Sequence, residues 1–218
     1  MEHELSWHQR LLSYLYPVKI AKAATQQNAV LELYYHRGQY QLATYDALYS
    51  DGSRYRPLRL AIRYLHKRKA IGDSVLVLGT GLGSVVHILY GFGYSPTYTL
   101  VEADATILQW AIDTLPKAVA TEAIPIHEDA EQYMATNSQQ YSLVVVDIFN
   151  SRVVPAFVTS QVFLLSCKAA LADGGVLVLN YIVINKDAWQ AARHCIETTF
   201  SKCEILEDGM NRIVIATA

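Results

Sequence analysis

Ser74-Val-Leu-Val-Leu-Gly-Thr-Gly-Leu-Gly-Ser84 is the stretch from which the fold is read. Val75, Leu76, Val77 and Leu78 form an uninterrupted apolar run, the pattern of a strand buried on both faces. Gly79, Gly81 and Gly83 follow at alternate positions. A turn of this kind, leading from a strand into a helix, lets backbone N–H groups approach a ligand that side chains would block. A bare glycine-rich turn is often only a tight connection, so the flanking chain decides its meaning.

Downstream the pattern alternates between strand and helix. The apolar spacing predicts strands at Tyr98–Val101, Ala123–His127, Ser142–Val146 and Val176–Val183. Helices are predicted at Gly83–Tyr90, Ala105–Leu115, Ala130–Ala135, Thr159–Leu171 and Lys186–Phe200, with Asp173-Gly174-Gly175 as a turn. Two last strands, Cys203–Leu206 and Arg212–Ala216, are separated by only five residues, which favours an antiparallel hairpin over another crossover. Such alternation describes an open, mostly parallel α/β sheet.

Upstream the chain reads differently. Leu5–Tyr16 is predicted as a short helix closed by Pro17, and Val18 to Tyr45 as a small antiparallel β unit with a hairpin turn at His36-Arg37-Gly38-Gln39. A helix from about Pro57 to Lys69 follows. The boundary is placed near Tyr49–Tyr55, giving an N-terminal helix and β unit over 1–54 and an α/β domain over 55–218.

Composition narrows the classes. The 218 residues are 52% hydrophobic, enough for a sizeable core. A net charge of −2 offers no global attraction for nucleic acid or an anionic membrane, and neither partner is expected. Cys167, Cys195 and Cys203 form no CxxC pair and the seven histidines are scattered, so no metal site is expected. The polar start and the absence of a long apolar run make a cytoplasmic protein the default expectation. Arg54, Arg56, Arg59, Arg63, Lys67, Arg68 and Lys69 form one basic helical region without a nucleic-acid motif around it.

Ligands of open parallel sheets bind beyond the carboxyl ends of the strands, where this chain places Glu102, Asp129 and Asp147. Glu102 lies roughly 20 residues after the glycines, where a carboxylate can accept hydrogen bonds from ribose hydroxyls. The competing reading is that acids here cap the following helices, most plausibly Asp104 and Asp129. Ser84 only roughly supplies the small residue of a dinucleotide fingerprint, and no second mononucleotide-binding half follows the fifth strand.

The helix-and-hairpin ending resembles the class I methyltransferase fold, a Rossmann-like seven-stranded sheet. That resemblance implies S-adenosylmethionine as ligand: Gly79, Thr80, Gly81 and Gly83 for its first motif, Glu102 with Ala103 for the ribose, and Asp129 with Ala130 for the adenine end. With the β unit ahead of it, the region from Val18 to Ile184 resembles the spermidine synthase (polyamine aminopropyltransferase) family. Tyr45-Asp46-Ala47-Leu48-Tyr49-Ser50 is similar to its LDGxxQ hairpin, Ser53-Arg54-Tyr55 to its E-x-x-Y segment, Glu102-Ala103-Asp104 to E-x-D, and Asp147-Ile148-Phe149-Asn150 to D-x-x-D. The resemblance implies Asp147 as the base that deprotonates an attacking amine, Tyr55, Asn150 and Asn180 on the acceptor side, and a homodimer by analogy.

The departures bear on the substrate. The family usually has an Asp within the glycine motif, which binds the aminopropyl ammonium; here it is Leu82. The second acid of D-x-x-D is Asn150, and the hairpin glutamine is Ser50. A polycation needs carboxylates to replace its water, and each charge-assisted hydrogen bond is worth about 1.5–3 kcal/mol. The reading is therefore an S-adenosylmethionine-binding transferase, methylating a small acceptor in preference to aminopropyl transfer from decarboxylated S-adenosylmethionine. A non-catalytic nucleoside-binding relative is the reading from another class.

Overall fold

The computed structural model describes residues 5–45 and 48–217. Asp46 and Ala47 of the hairpin motif lie outside the described residues. In chain order, α1 (Trp7–Leu12) precedes β1 (Val18–Ala23), β2 (Leu31–His36), β3 (Gln39–Ala43) and β4 (Leu48–Ser50), which pair in that order as an antiparallel sheet. A short 3-10 turn (Gly52–Arg54) then leads into α2 (Arg56–Arg68).

The body follows: β5 (Ser74–Leu78), α3 (Ser84–Gly91), β6 (Thr97–Glu102), α4 (Ala105–Thr114), α5 (Lys117–Ala120), β7 (Ala123–His127) and α6 (Ala130–Thr136). It continues with β8 (Tyr141–Val146), a 3-10 turn (Ala156–Thr159), α7 (Gln161–Ala169), β9 (Leu171–Ile182), α8 (Lys186–Thr199), β10 (Lys202–Asp208) and β11 (Asn211–Thr217). The strands form one seven-stranded sheet in the order β10-β11-β9-β8-β5-β6-β7. β5 to β9 are parallel, and β10 and β11 are the antiparallel hairpin added at the edge. No helix among the described residues is long and apolar enough to cross a membrane.

Strand periodicity distributes the core over two faces. Leu76, Leu78, Val144, Val146, Leu177 and Leu179 point toward α6, α7 and α8, packing with Met134, Phe163, Leu164, Trp189 and Ile196. Their neighbours Val75, Val77, Leu143, Val145, Val176 and Val178 pack against Leu58, Ile62 and Leu65 of α2 and Val85, Val86 and Leu89 of α3. The apolar run that reads as a strand without alternation is thus an alternation between two buried faces.

A third cluster joins the small sheet to the body. Leu31, Leu33 and Leu42 pack with Leu82, Ile107 and Trp110, all buried. The polar counterpart is Asp104. Its Oδ1 accepts from the Thr106 and Ile107 N–H groups and caps α4, while Oδ2 accepts from the Thr25 hydroxyl and the Asn28 amide. Asp104 is therefore both a helix cap and a latch between the two sheets.

Two local readings change. Asp173-Gly174-Gly175 does not end the pairing: β9 begins at Leu171, and the register with β8 shifts between Tyr141 and Leu143. Gly174 is at φ +73°, and a Cβ on Gly175 would lie 2.9 Å from the Tyr141 carbonyl, so the glycines absorb a bulge inside the strand. The three-residue β4 and the one-turn α5 are too short to produce a periodic signal.

Candidate active site

β5 is the strand at which the sheet order reverses, with β6 on one side and β8 on the other. Connections leaving in opposite directions open a crevice at its carboxyl end. The backbone there is fixed by pairing that outlasts the strands: the Gly79 and Thr80 N–H groups donate to the Val101 carbonyl, and the Asp147 N–H donates to the Leu78 carbonyl. Gly79 is required where it stands. It lies at φ +81°, and a Cβ would meet the Asp147 carbonyl oxygen at 2.5 Å.

The crevice opens into a cavity of about 570 Å³. Its wall includes Gly79, Thr80, Gly81, Glu102, Ala103, Asp129, Asp147, Tyr55 and Asn150. Three sequence candidates do not line it. A Cβ on Gly83 would stand 2.7 Å from Leu115, so that glycine serves helix packing. Ala130 is in the core with Tyr133 and Met134. Asn180 is buried behind Asp147 and acts through it.

At one end, Glu102 terminates β6 with each carboxylate oxygen holding one backbone group. Oε2 accepts from the Gly81 N–H over 3.1 Å and Oε1 from the Asp104 N–H over 3.2 Å. Burial raises its pKa, against the lowering effect of those N–H groups. Each oxygen keeps a lone pair for a further donor, the requirement for holding a vicinal diol. Asp129 caps α6 through Oδ1, which accepts from Glu131 and Gln132, leaving Oδ2 for a ligand. Ile107 adds an apolar side chain to the same cavity wall. This set fits a nucleoside: carboxylates for hydroxyl and amino groups, and an apolar surface for a flat ring.

At the other end, Asp147 ends β8 beside Tyr55 and Asn180. The Asn180 side-chain nitrogen donates to Oδ1 of Asp147 over 2.8 Å and to the Tyr55 hydroxyl over 3.1 Å; that hydroxyl donates to the same Oδ1 over 3.4 Å. Removal from water pushes the Asp147 carboxyl from 3.8 up to about 7, although both hydrogen bonds pull it down. Burial and the adjacent carboxylate hold the Tyr55 phenol well above its usual range, so it stays protonated and donates. A carboxyl balanced near neutrality at the floor of a cavity can accept a proton from an acceptor.

The family model described as spermine/spermidine synthase domain matches residues 65–206. The chain belongs to this family. Among its relatives, an N-terminal histidine N-methyltransferase of Emericella nidulans is 28% identical over 150 residues, 65% of this chain and 26% of that protein. A polyamine aminopropyltransferase of Vibrio vulnificus is 25% identical over 150 residues, 66% of this chain and 50% of that protein. The chain thus spans about a quarter and half the length of these two curated relatives. The crystal structure of a probable spermidine synthase from Corynebacterium glutamicum shares the fold, with a TM-score of 0.73 and 16% identity over 93% of this chain and 80% of that one.

Among spermine/spermidine synthase domains, the position expected to carry an acid inside the glycine motif is Leu82 in this chain. Its side chain is 1% exposed and packs with the third apolar cluster, away from the cavity wall. Ser50, in place of the hairpin glutamine, shares a hydrogen bond of 2.7 Å with Ser84 and ties β4 to the start of α3. Of the tyrosines in the β unit, Tyr49 reaches the cavity and accepts from the Ser151 N–H over 2.7 Å, which anchors the loop after β8.

Sequence reasoning missed Gln27 and Asn28 from the β1–β2 connection, Arg152 from the loop after β8, and Met210 and Asn211 from the last hairpin. Arg152 sits five residues after Asp147, in the loop already singled out, and could have been found there. The others adjoin the site only through contacts distant in sequence: Gln27 and Asn28 hydrogen-bond to Ala103 and Asp104, and Asn211 pairs with Ile182 of β9.

Proposed function

We propose that this protein is an S-adenosylmethionine-dependent methyltransferase acting on a small nucleophilic acceptor. The observation that carries the donor is Glu102, a half-buried carboxylate fixed by two backbone N–H groups beside the glycine turn. When bound, the donor supplies a carbon activated by its sulfonium. Glu102 holds the ribose hydroxyls, Asp129 the adenine amino group, and the Gly79–Gly81 backbone the methionine portion. Asp147 takes the proton that the acceptor loses as it attacks, and Asn180 and Tyr55, both donating to Oδ1, orient the carboxylate and leave Oδ2 for that proton. Much of the rate would come from holding the acceptor in line with the donor carbon.

Leu82 favours methyl over aminopropyl transfer. With that side chain in the core, the glycine motif offers no carboxylate to an aminopropyl ammonium, and none to repel the carboxylate of S-adenosylmethionine. Arg152, a cation in the cavity wall, points the same way, since it opposes a polycationic acceptor. Aminopropyl transfer from the decarboxylated donor is the second reading, and family membership favours it. Titration calorimetry with both donors separates the two. Methyl transfer requires tighter binding of S-adenosylmethionine; tighter binding of the decarboxylated donor overturns it.

A further inference from the structure

Beside the transfer cavity lies a second, shallower groove of about 360 Å³, lined by Arg54, Arg56, Arg59, Leu60, Arg63 and Asp208. The two are neighbours in the chain as well as in space. Tyr55, flanked by the groove's Arg54 and Arg56, lines the transfer cavity. Asp208 lies at one end of the turn that carries Met210 and Asn211 into that cavity.

Four guanidinium groups face two carboxylates. Arg54 is held by Asp51 over 3.0 Å and by the His36 carbonyl over 3.0 Å, and Arg56 by Asp208 over 2.6 Å. Arg59 and Arg63 are exposed and form no ion pair among the described residues. Arg56, Arg59 and Arg63 are spaced three and four residues apart and share one face of α2.

The arrangement is locally unfavourable. Like charges at this spacing repel, and α2 contains no acidic residue to interleave with them. Arg56 and Arg59 also stand in the first turn, where the helix dipole disfavours cations, and Tyr55 gives the N-terminus no side-chain cap. An anion seated between the arginines would offset repulsion and dipole together. The planar, multi-donor guanidinium is the side chain best matched to phosphate oxygens, and Asp51 and Asp208 hold two of the four in place beforehand.

We propose that this groove is a binding site for a small phosphorylated molecule, contacted by Arg59 and Arg63 and flanked by the pre-oriented Arg54 and Arg56. Four guanidinium groups gathered around one groove of about 360 Å³ suit a compact oligophosphate group. The site is separate from donor binding, so the outcome below leaves the methyltransferase reading untouched.

The experiment is titration calorimetry of the full chain, at an ionic strength of about 0.15 M and without donor, with inorganic phosphate, pyrophosphate and tripolyphosphate. The proposal requires one saturable site with affinity rising along that series. Arg59→Gln/Arg63→Gln is expected to weaken tripolyphosphate about tenfold or more, with unchanged far-ultraviolet circular dichroism. The control Lys117→Gln/Lys202→Gln, which removes the same charge at exposed cations outside the groove lining, is expected to stay within about twofold of wild type, because charges beyond a Debye length are screened. Absence of saturation, or an equal loss in the control, would mean a solvated basic face and overturn the proposal. A twelve-nucleotide RNA binding more tightly than tripolyphosphate and competing with it would overturn the small-molecule assignment.

Discussion

The Asn180 side-chain nitrogen donates to Oδ1 of Asp147 over 2.8 Å, while its own oxygen is buried without a hydrogen-bond partner among the described residues. β9 thereby presents a neutral donor to a carboxylate at the end of β8 where burial alone would drive the proton on. The bond holds the carboxyl down toward neutrality, and the Tyr55 hydroxyl assists over 3.4 Å. An acid left there without donors would remain protonated at physiological pH and could not accept a proton.

That balance is measurable without an acceptor. The Asp147 carboxyl carbon, assigned by its loss in Asp147→Asn, is expected to titrate in nuclear magnetic resonance with a midpoint of about 7. Asn180→Ala is expected to move the midpoint upward by roughly one unit, since a hydrogen bond to the charged form is removed. Tyr55→Phe is expected to move it the same way but less, because its contact is longer. A downward move in either variant would contradict the assigned roles.

The same shift has a stability consequence. A carboxyl whose pKa is raised from 3.8 to about 7 on folding binds more protons in the native state across that interval. Stability from this group is therefore undiminished below pH 4, falls as pH rises from about 4 to 7, and stays reduced above it. Asp147→Asn is expected to match wild type near pH 4 and to exceed it at pH 8 by up to ~4 kcal/mol, read from urea unfolding. A variant less stable than wild type at pH 8 would show that Asp147 is structural rather than held at a cost for function.

Much of this architecture was legible because local chemistry and position coincide. Val75–Leu78, the glycines and the acids after three strands each follow from patterns within a few residues, and they end where β5, β6, β7 and β8 place them. What was not legible depends on which way a side chain turns or on chain segments far apart. Leu82 sits between two motif glycines, yet it belongs to the core that joins the small sheet to the body. Gly83 and Ala130 look like motif residues and are spent on packing. Asp104 looks like a cap, which it is, but its second oxygen latches Thr25 and Asn28, and no local pattern announces such a contact.

Two glycines in one turn should respond differently to the same substitution. Gly79→Ala forces a Cβ to 2.5 Å from the Asp147 carbonyl oxygen, so backbone must move, and a loss of about 3 kcal/mol or more is expected in chemical unfolding. Gly81→Ala meets nothing closer than 3.7 Å at φ +52°, and only the left-handed backbone cost of about 1–2 kcal/mol is expected. Equal losses would argue that Gly79 is not tied to Asp147.

The central claim is that Glu102 holds the ribose of an S-adenosyl donor. It is tested most directly by titrating S-adenosylhomocysteine into wild type and Glu102→Gln in the calorimeter, with circular dichroism to confirm that the variant folds. Hydrogen bonds to a charged group are worth about 1.5–3 kcal/mol, so one-to-one binding to wild type and a loss of about tenfold or more in the variant are predicted. No binding to wild type, or equal affinity in a folded Glu102→Gln, would contradict it.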